Sequence, residues 1–340
     1  MSAPDPGTPE WLAQVQEETV DPSRRIVDPH HHLWRRPTGD YLLEDLWGDT
    51  EAVGSDGESH NVEKTVFVEC RACYRKDGPE HLRCVGETEF VAENAAASAE
   101  GDGATISGIV SHANLTLGEG VAEVLDSHEE AGNGLFRGIR HSGARDPHPE
   151  HLRIAGRAPE GLYAREDFRR GMKVLGDRGL TFDTWHYHHQ NRDFAALARA
   201  VPGTTMILDH FGTPLGVGPY ADRREEIFEA WKDDIAEIAA CPNVVAKIGG
   251  LAMPDNGFGW SERATPATSD ELVAAQRRYY LHTIECFGPD RCMFESNFPV
   301  DKLSIPYHAM YNGLKKIAAG FPDDEQDAMF YRTAARVYSL

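Results

Sequence analysis

Three consecutive histidines end an apolar run near the start of the chain, in the stretch IVDPHHHLW at 26–34. Because successive side chains of a strand point to opposite sides, His30 and His32 face one way and His31 faces the other. Imidazole is the commonest metal ligand near neutral pH, and two imidazoles at this spacing can hold one cation. The stretch therefore predicts that His30 and His32 face a reaction site, whereas His31 packs in the wall.

Other side chains with acid–base, metal-binding or anion-binding chemistry follow later apolar runs. They are Glu69 in VFVEC, Arg140 and His141 in GIRHS, Trp185, His186 and His188 in TWHYHH, His210 in LDHFG, and Glu295, Asn297 and Asp301 in ESNFPVD. A guanidinium group forks onto a carboxylate, so Arg140, with His141 beside it, is expected to contact a substrate acid. Trp185 is expected to form part of the pocket wall.

Eight short runs rich in β-branched and aromatic residues carry these groups. The runs are RRIVDPHHH, VEKTVFVEC, TISGIVSHANL, LFRGIRHS, LTFDTWHYH, TTMILDHFG, NVVAKIGGLA and CMFESNFPV. Stretches that favour helix, such as REEIFEAWKDDIAEIAAC, separate most of them. Eight strand–helix repeats predict a (β/α)8 TIM barrel of the α/β class. A doubly wound sheet is the alternative, but it needs a glycine-rich phosphate loop after the first strand, where this chain has histidines.

The carboxyl ends of parallel barrel strands share one rim, where the catalytic groups of such barrels lie. The polar groups named above fall at these ends, so they are predicted to meet in space. Longer polar or Gly/Pro-rich segments follow strands one, four, six and seven, at 35–61, 143–165, 213–223 and 254–269. We expect these long loops to lie over the same rim as lids or binding loops.

Composition narrows the class of protein. In 340 residues, Asp and Glu outnumber Lys and Arg by 55 to 34, which argues against nucleic acid or anionic membranes as partners. The six cysteines do not form a disulfide framework for so long a chain. We expect a cytoplasmic protein that acts on a small molecule, and a homo-oligomer is possible. The N-terminal arm at 1–23 lacks signal-peptide features, and the barrel is expected at 24–340.

Three motifs on successive predicted strands resemble one known family. DPHHHLW, LDHFGTP and MFESNFPVD are similar to motifs of the amidohydrolase superfamily, and more closely of its amidohydrolase-2 branch. That branch includes sugar-lactone lactonases, pyrone-dicarboxylate hydrolases and related decarboxylases. The resemblance runs from about Arg24 to the C-terminus, and it implies the same barrel fold.

The resemblance also implies roles for the histidines. His30, His32 and His188 are expected to bind one divalent cation, zinc or manganese, although some members work without a metal. His186 lies on the same face as His188 and is expected to contact the substrate. His210 is expected to orient the attacking water or to polarise the carbonyl.

Strand eight departs from the family pattern. The family has Ser-Asp-Trp-Pro, in which the aspartate binds metal and accepts a proton from water, whereas this chain has Asn297 at that place. An amide cannot accept a proton at neutral pH. Glu295, Asp301 or a histidine such as His210 is expected to replace it, with Asp301 also a candidate substrate contact. Glu69 is a candidate ligand or base at the end of strand two.

These features predict a hydrolase. An activated water, assisted by a metal ion or by the histidines alone, would open a lactone or a similar cyclic ester or amide of a small carboxylate-bearing compound. Two alternatives remain at this point. One is a non-oxidative decarboxylase on the same scaffold, and the other is a non-catalytic relative, because Asn297 replaces the family's aspartate.

Overall fold

The computed structural model describes residues 4–340. Eight parallel strands form one sheet in the order of the chain. Their bounds are β1 Arg25–His31, β2 Asn61–Val68, β3 Thr105–Ser111, β4 Phe136–Arg140, β5 Thr181–Thr184, β6 Met206–Leu208, β7 Val244–Ile248 and β8 Cys292–Phe294. Each strand overlaps one of the eight predicted runs, which confirms the predicted (β/α)8 barrel.

The sheet closes where β1 meets the segment that follows β8. The backbone N–H of His32 donates to the carbonyl of Phe298 at 2.8 Å, and the N–H of Asn297 donates to the carbonyl of His30 at 3.0 Å. These two bonds place the histidines of β1 directly beside the strand-eight motif. The first and last motifs of the chain therefore share one corner of the barrel mouth.

The longer helices surround the barrel because they bury an apolar face against it. In α5, Phe168, Met172 and Leu175 are buried at helical spacing, and Glu166 and Asp167 lie in the first turn, where carboxylates suit the helix dipole. The helices are α1 Pro9–Leu12, α2 Leu43–Thr50, α3 Val85–Glu100, α4 Val121–Ala131, α5 Glu166–Asp177, α6 Asn191–Ala200, α7 Arg224–Ala239, α8 Ser269–Phe287, α9 Tyr307–Ala318, α10 Asp323–Asp327 and α11 Thr333–Val337.

The lower part of the barrel interior is apolar. Its buried side chains belong to one cluster, which contains Val27, Val66, Val68, Val110, Ile207, Val245, Met293, Ala334 and Tyr338. Tyr338, near the end of the chain, is fully buried, and its hydroxyl donates to Asp183 at 2.6 Å. Asp183 therefore lies where this apolar cluster meets the polar groups of the barrel mouth.

The N-terminal arm packs against the loop that follows β7. Trp11 is fully buried, and its indole N–H donates to the carbonyl of Arg263 at 3.1 Å. The domain boundary at residue 24 stays a prediction. All six cysteines are free. None of the helices that the structure describes combines the length and the apolar character needed to cross a bilayer.

Candidate active site

The three histidines of β1 have different surroundings, although all are buried. His31 lies in the wall, where its Nε2 is 3.1 Å from the hydroxyl of Thr65. The Nδ1 of His32 is 2.7 Å from the carbonyl oxygen of Val68. A carbonyl can only accept, so Nδ1 of His32 carries the proton and Nε2 keeps a lone pair.

His210 is held by a carboxylate from the neighbouring end of β8. Its Nδ1 lies 2.7 Å from Oε1 of Glu295, and the same oxygen accepts the backbone N–H of His210 at 3.3 Å. Oε1 of Glu295 thus accepts from both the backbone N–H and the ring. His210 therefore donates from Nδ1 and keeps a lone pair on Nε2. The residue has φ 52°, a left-handed conformation that is uncommon outside glycine.

The diglycine after β7 makes room for this pair. A Cβ atom on Gly250 would lie 2.2 Å from Nδ1 of His210, and one on Gly249 would lie 2.5 Å from Cγ of Glu295. Real atoms do not approach that closely. The sequence KIGGL therefore has glycines here because the His210–Glu295 pair occupies the space that side chains would need.

His30 lies below the mouth among charged groups. Its Nε2 is 3.3 Å from a guanidinium nitrogen of Arg140, and its Nδ1 is 2.9 Å from Oε2 of Glu295. The rings of His30 and His210 have their centroids 4.5 Å apart, and those of His30 and His32 are 5.0 Å apart. The barrel thus brings histidines that are distant in sequence around one point.

A buried lysine that sequence reasoning missed occupies the centre of the barrel. Lys247 of β7 is fully buried, with Nζ at 2.6 Å from Asp183 and 3.4 Å from Asp209. Burial opposes its charge, but the two aspartates prevail and raise the pKa of Lys247 above its ordinary value. The sequence carried a signal for this pair, because Lys247 stands in the apolar run VVAKI and Asp183 stands in the predicted strand TFDT.

One group of side chains has the donor types and spacing of a metal site. Ligand atoms of His30, Asp209 and His210 lie within 4.8 Å of one another, and all three residues are buried. The oxygens of Asp209 and Oε2 of Glu295 have no aligned hydrogen bond among residues 4–340, although Lys247, Arg140 and His30 lie within ion-pair distance of them. Two imidazoles and a carboxylate are donors that zinc accepts. The residues therefore fit a divalent cation.

The charge balance of the buried cluster supports the same fit. Four buried carboxylates, those of Glu69, Asp183, Asp209 and Glu295, face two buried cations, Arg140 and Lys247. Burial raises the pKa of Asp209 to about 7 and that of Glu295 to about 8. Fully ionised, the four carboxylates would carry two more charges than the two protein cations neutralise, and a divalent cation would stabilise their charged forms.

A cavity of about 390 Å³ opens above these groups, and we call it the rim cavity. Of the residues that line it, the chemically relevant ones are His32, Glu69, Arg140, Trp185, His210 and Asn297. Arg140 donates to Glu69 at 3.0 Å and lies 3.6 Å from Asp209. The volume suits a small molecule.

Sequence comparison gives the family. Residues 27–340 match the Amidohydro_2 model, which is described as Amidohydrolase. The chain belongs to the amidohydrolase family. This confirms the resemblance of the three motifs, and it supports an enzyme of the hydrolase class.

Two curated proteins and one solved structure are similar to this amidohydrolase over most of their length. The uncharacterised protein y4mH of Sinorhizobium fredii is 32% identical over 93% of this chain and 98% of its own. L-fucono-1,5-lactonase of Burkholderia multivorans is 26% identical over 92% and 96%. A zinc-bound amidohydrolase structure from Burkholderia multivorans has a TM-score of 0.69 at 23% identity, covering 93% of this chain and 99% of that one. The last similarity shows a shared fold.

The structure places His186 and His188 away from the rim cavity. The run LTFDTWHYH predicted a strand up to His188, but β5 ends at Thr184 and His188 begins a 3-10 turn. The ring nitrogens of His186 bond to Thr184 and Asn191, at 3.2 Å and 2.9 Å. Nδ1 of His188 accepts the N–H of Leu215 at 3.3 Å. Strand alternation no longer applies after residue 184, and Asp209, not His188, lies with His30 and His210 in the group that could hold a metal ion.

His141 also differs from its expected role. Nδ1 of His141 accepts the N–H of Leu115 at 3.2 Å, and its ring packs 5.3 Å from that of Phe168. It belongs to the layer between barrel and helices, because β4 ends at Arg140 and the next side chain points outward. Arg140 faces the mouth, but its pairing with Glu69 leaves only part of its guanidinium for a substrate.

Asn297 lines the cavity and Asp301 lies behind it. The amide of Asn297 donates to Oδ1 of Asp301 at 2.8 Å, and Oδ2 of Asp301 accepts the N–H of Ala252 at 2.9 Å. Asp301 is 1% exposed, so it supports Asn297 instead of contacting a substrate. Glu295, a candidate base, has no exposed surface either, and its oxygen is directed to His210.

Proposed function

We propose that this amidohydrolase opens a lactone or a similar cyclic ester of a small carboxylate-bearing compound by hydrolysis. The observation that carries the proposal is the pair of imidazoles on the wall of the rim cavity. His32 and His210 each have Nδ1 held by a protein oxygen, so each keeps the lone pair of Nε2 for chemistry. Two oriented acceptors on the wall of a small cavity suit the activation of water.

His32 is assigned as the proton acceptor. It lies outside the group of His30, Asp209 and His210, so its Nε2 is available whether or not a cation is bound. Burial lowers the pKa of His32 well below its ordinary value, which keeps the ring neutral, with the lone pair of Nε2 free, at pH 7. Trp34 stacks 6.1 Å away and helps to fix the plane of the ring.

The hydrolysis then proceeds with a balanced proton count. His210, held by Glu295, orients one O–H of the water, and the other proton passes to His32 as the water oxygen bonds to the carbonyl carbon. Arg140 stabilises the negative charge that develops on the carbonyl oxygen. The ring C–O bond breaks, and the proton on His32 passes to the departing ring oxygen. The product is a hydroxy acid, which releases one proton to solvent at neutral pH.

A metal ion has a defined place in this arrangement. His30, Asp209 and His210 would hold a divalent cation, zinc or manganese by expectation, and the cation would supply Lewis acidity to the carbonyl. With a cation bound, Nε2 of His210 would serve as its ligand and would not orient the water, whereas His32 would keep its role. Asn297 supplies no proton acceptor in either case. Its amide is bonded to Asp301 and positions the cavity wall.

The test is a lactone panel read with a pH indicator, on the wild type and on His32→Gln. We expect the wild type to release acid and His32→Gln to lose about 10²-fold or more in kcat. Elemental analysis should give the same zinc or manganese content for both. His31→Asn is the matched control, because His31 packs in the wall, and its kcat should stay within about threefold of the wild type.

Each other outcome argues against the assignment. Proton consumption with release of carbon dioxide would indicate a decarboxylase. Full activity in His32→Gln would remove His32 from the mechanism. Absence of turnover across the panel, with ligand binding intact, would indicate a non-catalytic relative.

A further inference from the structure

Two buried cations flank two of the three residues that could hold a metal ion. Nζ of Lys247 lies 3.4 Å from Oδ1 of Asp209 and 3.3 Å from Nδ1 of His30. Arg140 approaches the other atoms of the same two residues, with a guanidinium nitrogen at 3.6 Å from Oδ2 of Asp209 and at 3.3 Å from Nε2 of His30. Each carboxylate oxygen of Asp209 and each ring nitrogen of His30 therefore faces a protein cation.

The two cations differ in what else they contact. Arg140 pairs with Glu69 and lines the rim cavity, where a substrate can reach it. Lys247 has no exposed surface, so it cannot contact a molecule in that cavity. A buried amine of this kind acts only through the groups beside it. The role of Lys247 must therefore follow from its own neighbours.

Lys247 is anchored on the side away from the candidate metal ligands. Its Nζ donates to Oδ2 of Asp183 at 2.6 Å, and the same oxygen accepts the hydroxyl of Tyr338 at 2.6 Å. Asp209 lies within ion-pair distance of Nζ, but neither of its oxygens has an aligned hydrogen bond among residues 4–340. The charge of Lys247 thus acts on Asp209 without engaging the lone pairs that a metal ion would need.

A second cation next to this ammonium would be repelled. Like charges a few Å apart repel strongly where water is excluded, because little solvent is present to screen them. His30, Asp209 and Lys247 all have no exposed surface. A divalent ion held by His30, Asp209 and His210 would therefore gain the charge of Asp209 and also meet the opposing charge of Lys247.

We propose that Lys247 is a built-in counter-ion of Asp209 that opposes the binding of a divalent cation and so sets the metal affinity of this site. In the metal-free protein the ammonium offsets the charge of Asp209. When a metal ion binds, the ammonium stays on Asp183, its closer partner. The proposal rests on the fit of the three ligands to a cation, and it does not depend on the hydrolysis.

Zinc affinity tests the proposal, measured by competition with a chelating indicator at one pH and one salt concentration. Lys247→Met keeps a long side chain and removes the charge, so the dissociation constant for zinc should fall by about 10²-fold or more. A lysine that only supports the cluster would give the opposite result, because its loss would disorder the ligands and raise the constant. The zinc-induced rise in the urea midpoint should also be larger in the variant than in the wild type.

The double variant Lys247→Met with Asp183→Asn guards against a single variant that fails to fold. It removes the buried pair as a unit, which costs less stability than removing one partner, and it leaves the net charge of the cluster unchanged. Its dissociation constant for zinc should still fall by about 10-fold, because Asp183 pairs with Lys247 and Tyr338 and not with the metal ligands. Such a fall would be due to the place of the ammonium beside Asp209.

Lys315→Met is the matched control, because Lys315 is also a buried lysine but contacts Asp21 and His60 at the other end of the barrel. It should leave the dissociation constant for zinc within about twofold of the wild type.

The remaining outcomes count against the proposal. An unchanged or higher dissociation constant in either folded Lys247 variant would overturn it, as would an equal fall in Lys315→Met. Absence of zinc binding in every protein would overturn it together with the metal site. The reaction through His32 would then still be decided by the lactone panel, so the two failures can be told apart.

Discussion

The two ends of the barrel treat buried polar groups in opposite ways. At the mouth, both oxygens of Asp209 and one oxygen of Glu295 lack aligned hydrogen bonds among residues 4–340. At the base, Lys315 of α9 donates to the carbonyl of Asp21 and to Nδ1 of His60, each at 2.8 Å. Nε2 of His60 then donates to the carbonyl of His308 at 3.0 Å. The ring nitrogens of His60 and the amine of Lys315 are all satisfied.

This difference separates function from stability within one fold. A buried carboxylate oxygen without an aligned hydrogen bond costs free energy, and such oxygens are expected where a ligand or a reaction uses them. A buried polar group whose hydrogen bonds are all made, such as Lys315 or His60, supports the folded state instead. The mouth also holds His210, Phe211 and Asn297 at positive φ, and such strain is common around active sites. The comparison predicts that mouth substitutions change activity more than stability, and that base substitutions do the reverse.

Glu295→Gln should have the largest effect on activity. The amide keeps the size of the side chain but can turn its NH2 group toward Nδ1 of His210, so the ring is no longer held in one tautomer and kcat should fall by about 10²-fold. Because the buried charge is costly, the unfolding free energy of the chelator-treated protein should stay the same or rise by about 1 kcal/mol. Steady-state kinetics and urea unfolding measure the two quantities. Retained activity with lost stability would reverse the comparison.

Gly250→Ala should have an intermediate effect, on both quantities. The new Cβ would lie 2.2 Å from Nδ1 of His210, and φ at this position is +70°. We expect a kcat loss of about 10-fold or more and a loss of unfolding free energy of about 1–2 kcal/mol.

Gly259→Ala is the matched control, because its φ is +71° but no atom lies within 4 Å of the added Cβ. It should lose stability through strain and keep its kcat. Equal kcat in the two variants would mean that the ring of His210 does not need the space above Gly250.

The sequence predicted the barrel because strand and helix runs alternate clearly eight times. It also predicted that polar side chains at strand ends converge, and the structure places His30, His32 and His210 around one point. The prediction of roles at these residues stays open to the experiments above. The barrel argument is strong because it needs only the direction of the strands and not their lengths.

Details that depend on where a strand ends could not be predicted. TWHYHH has the composition of a continuing strand, yet β5 stops at Thr184, so His186 and His188 leave the expected face. Buried charges were missed for a second reason. Asp183 and Lys247 stand in apolar runs that read as ordinary strands, and only the tertiary structure shows that they neutralise each other at 2.6 Å.

Lys315→Met should have the smallest effect on activity and a clear effect on the pH dependence of stability. Burial lowers the pKa of Lys315 from 10.5 to about 7. Between these values the unfolded chain binds a proton that the folded chain does not, so this group makes the wild type more stable as pH rises, by up to about 1.4 kcal/mol per pH unit. Below pH 7 both states are protonated and the contribution is lost.

The variant should lack this slope. Urea unfolding of both proteins at pH 6, 7.5 and 9 measures the difference in their unfolding free energies at each pH. The methionine also leaves His60 without one of its partners, which adds a pH-independent loss of about 1–2 kcal/mol to that pH-dependent difference. Its kcat should match the wild type, because Lys315 and His60 lie at the base, opposite the rim cavity. A parallel loss of kcat in Lys315→Met would show that the two ends of the barrel are coupled, and the separation of stability from function would then fail.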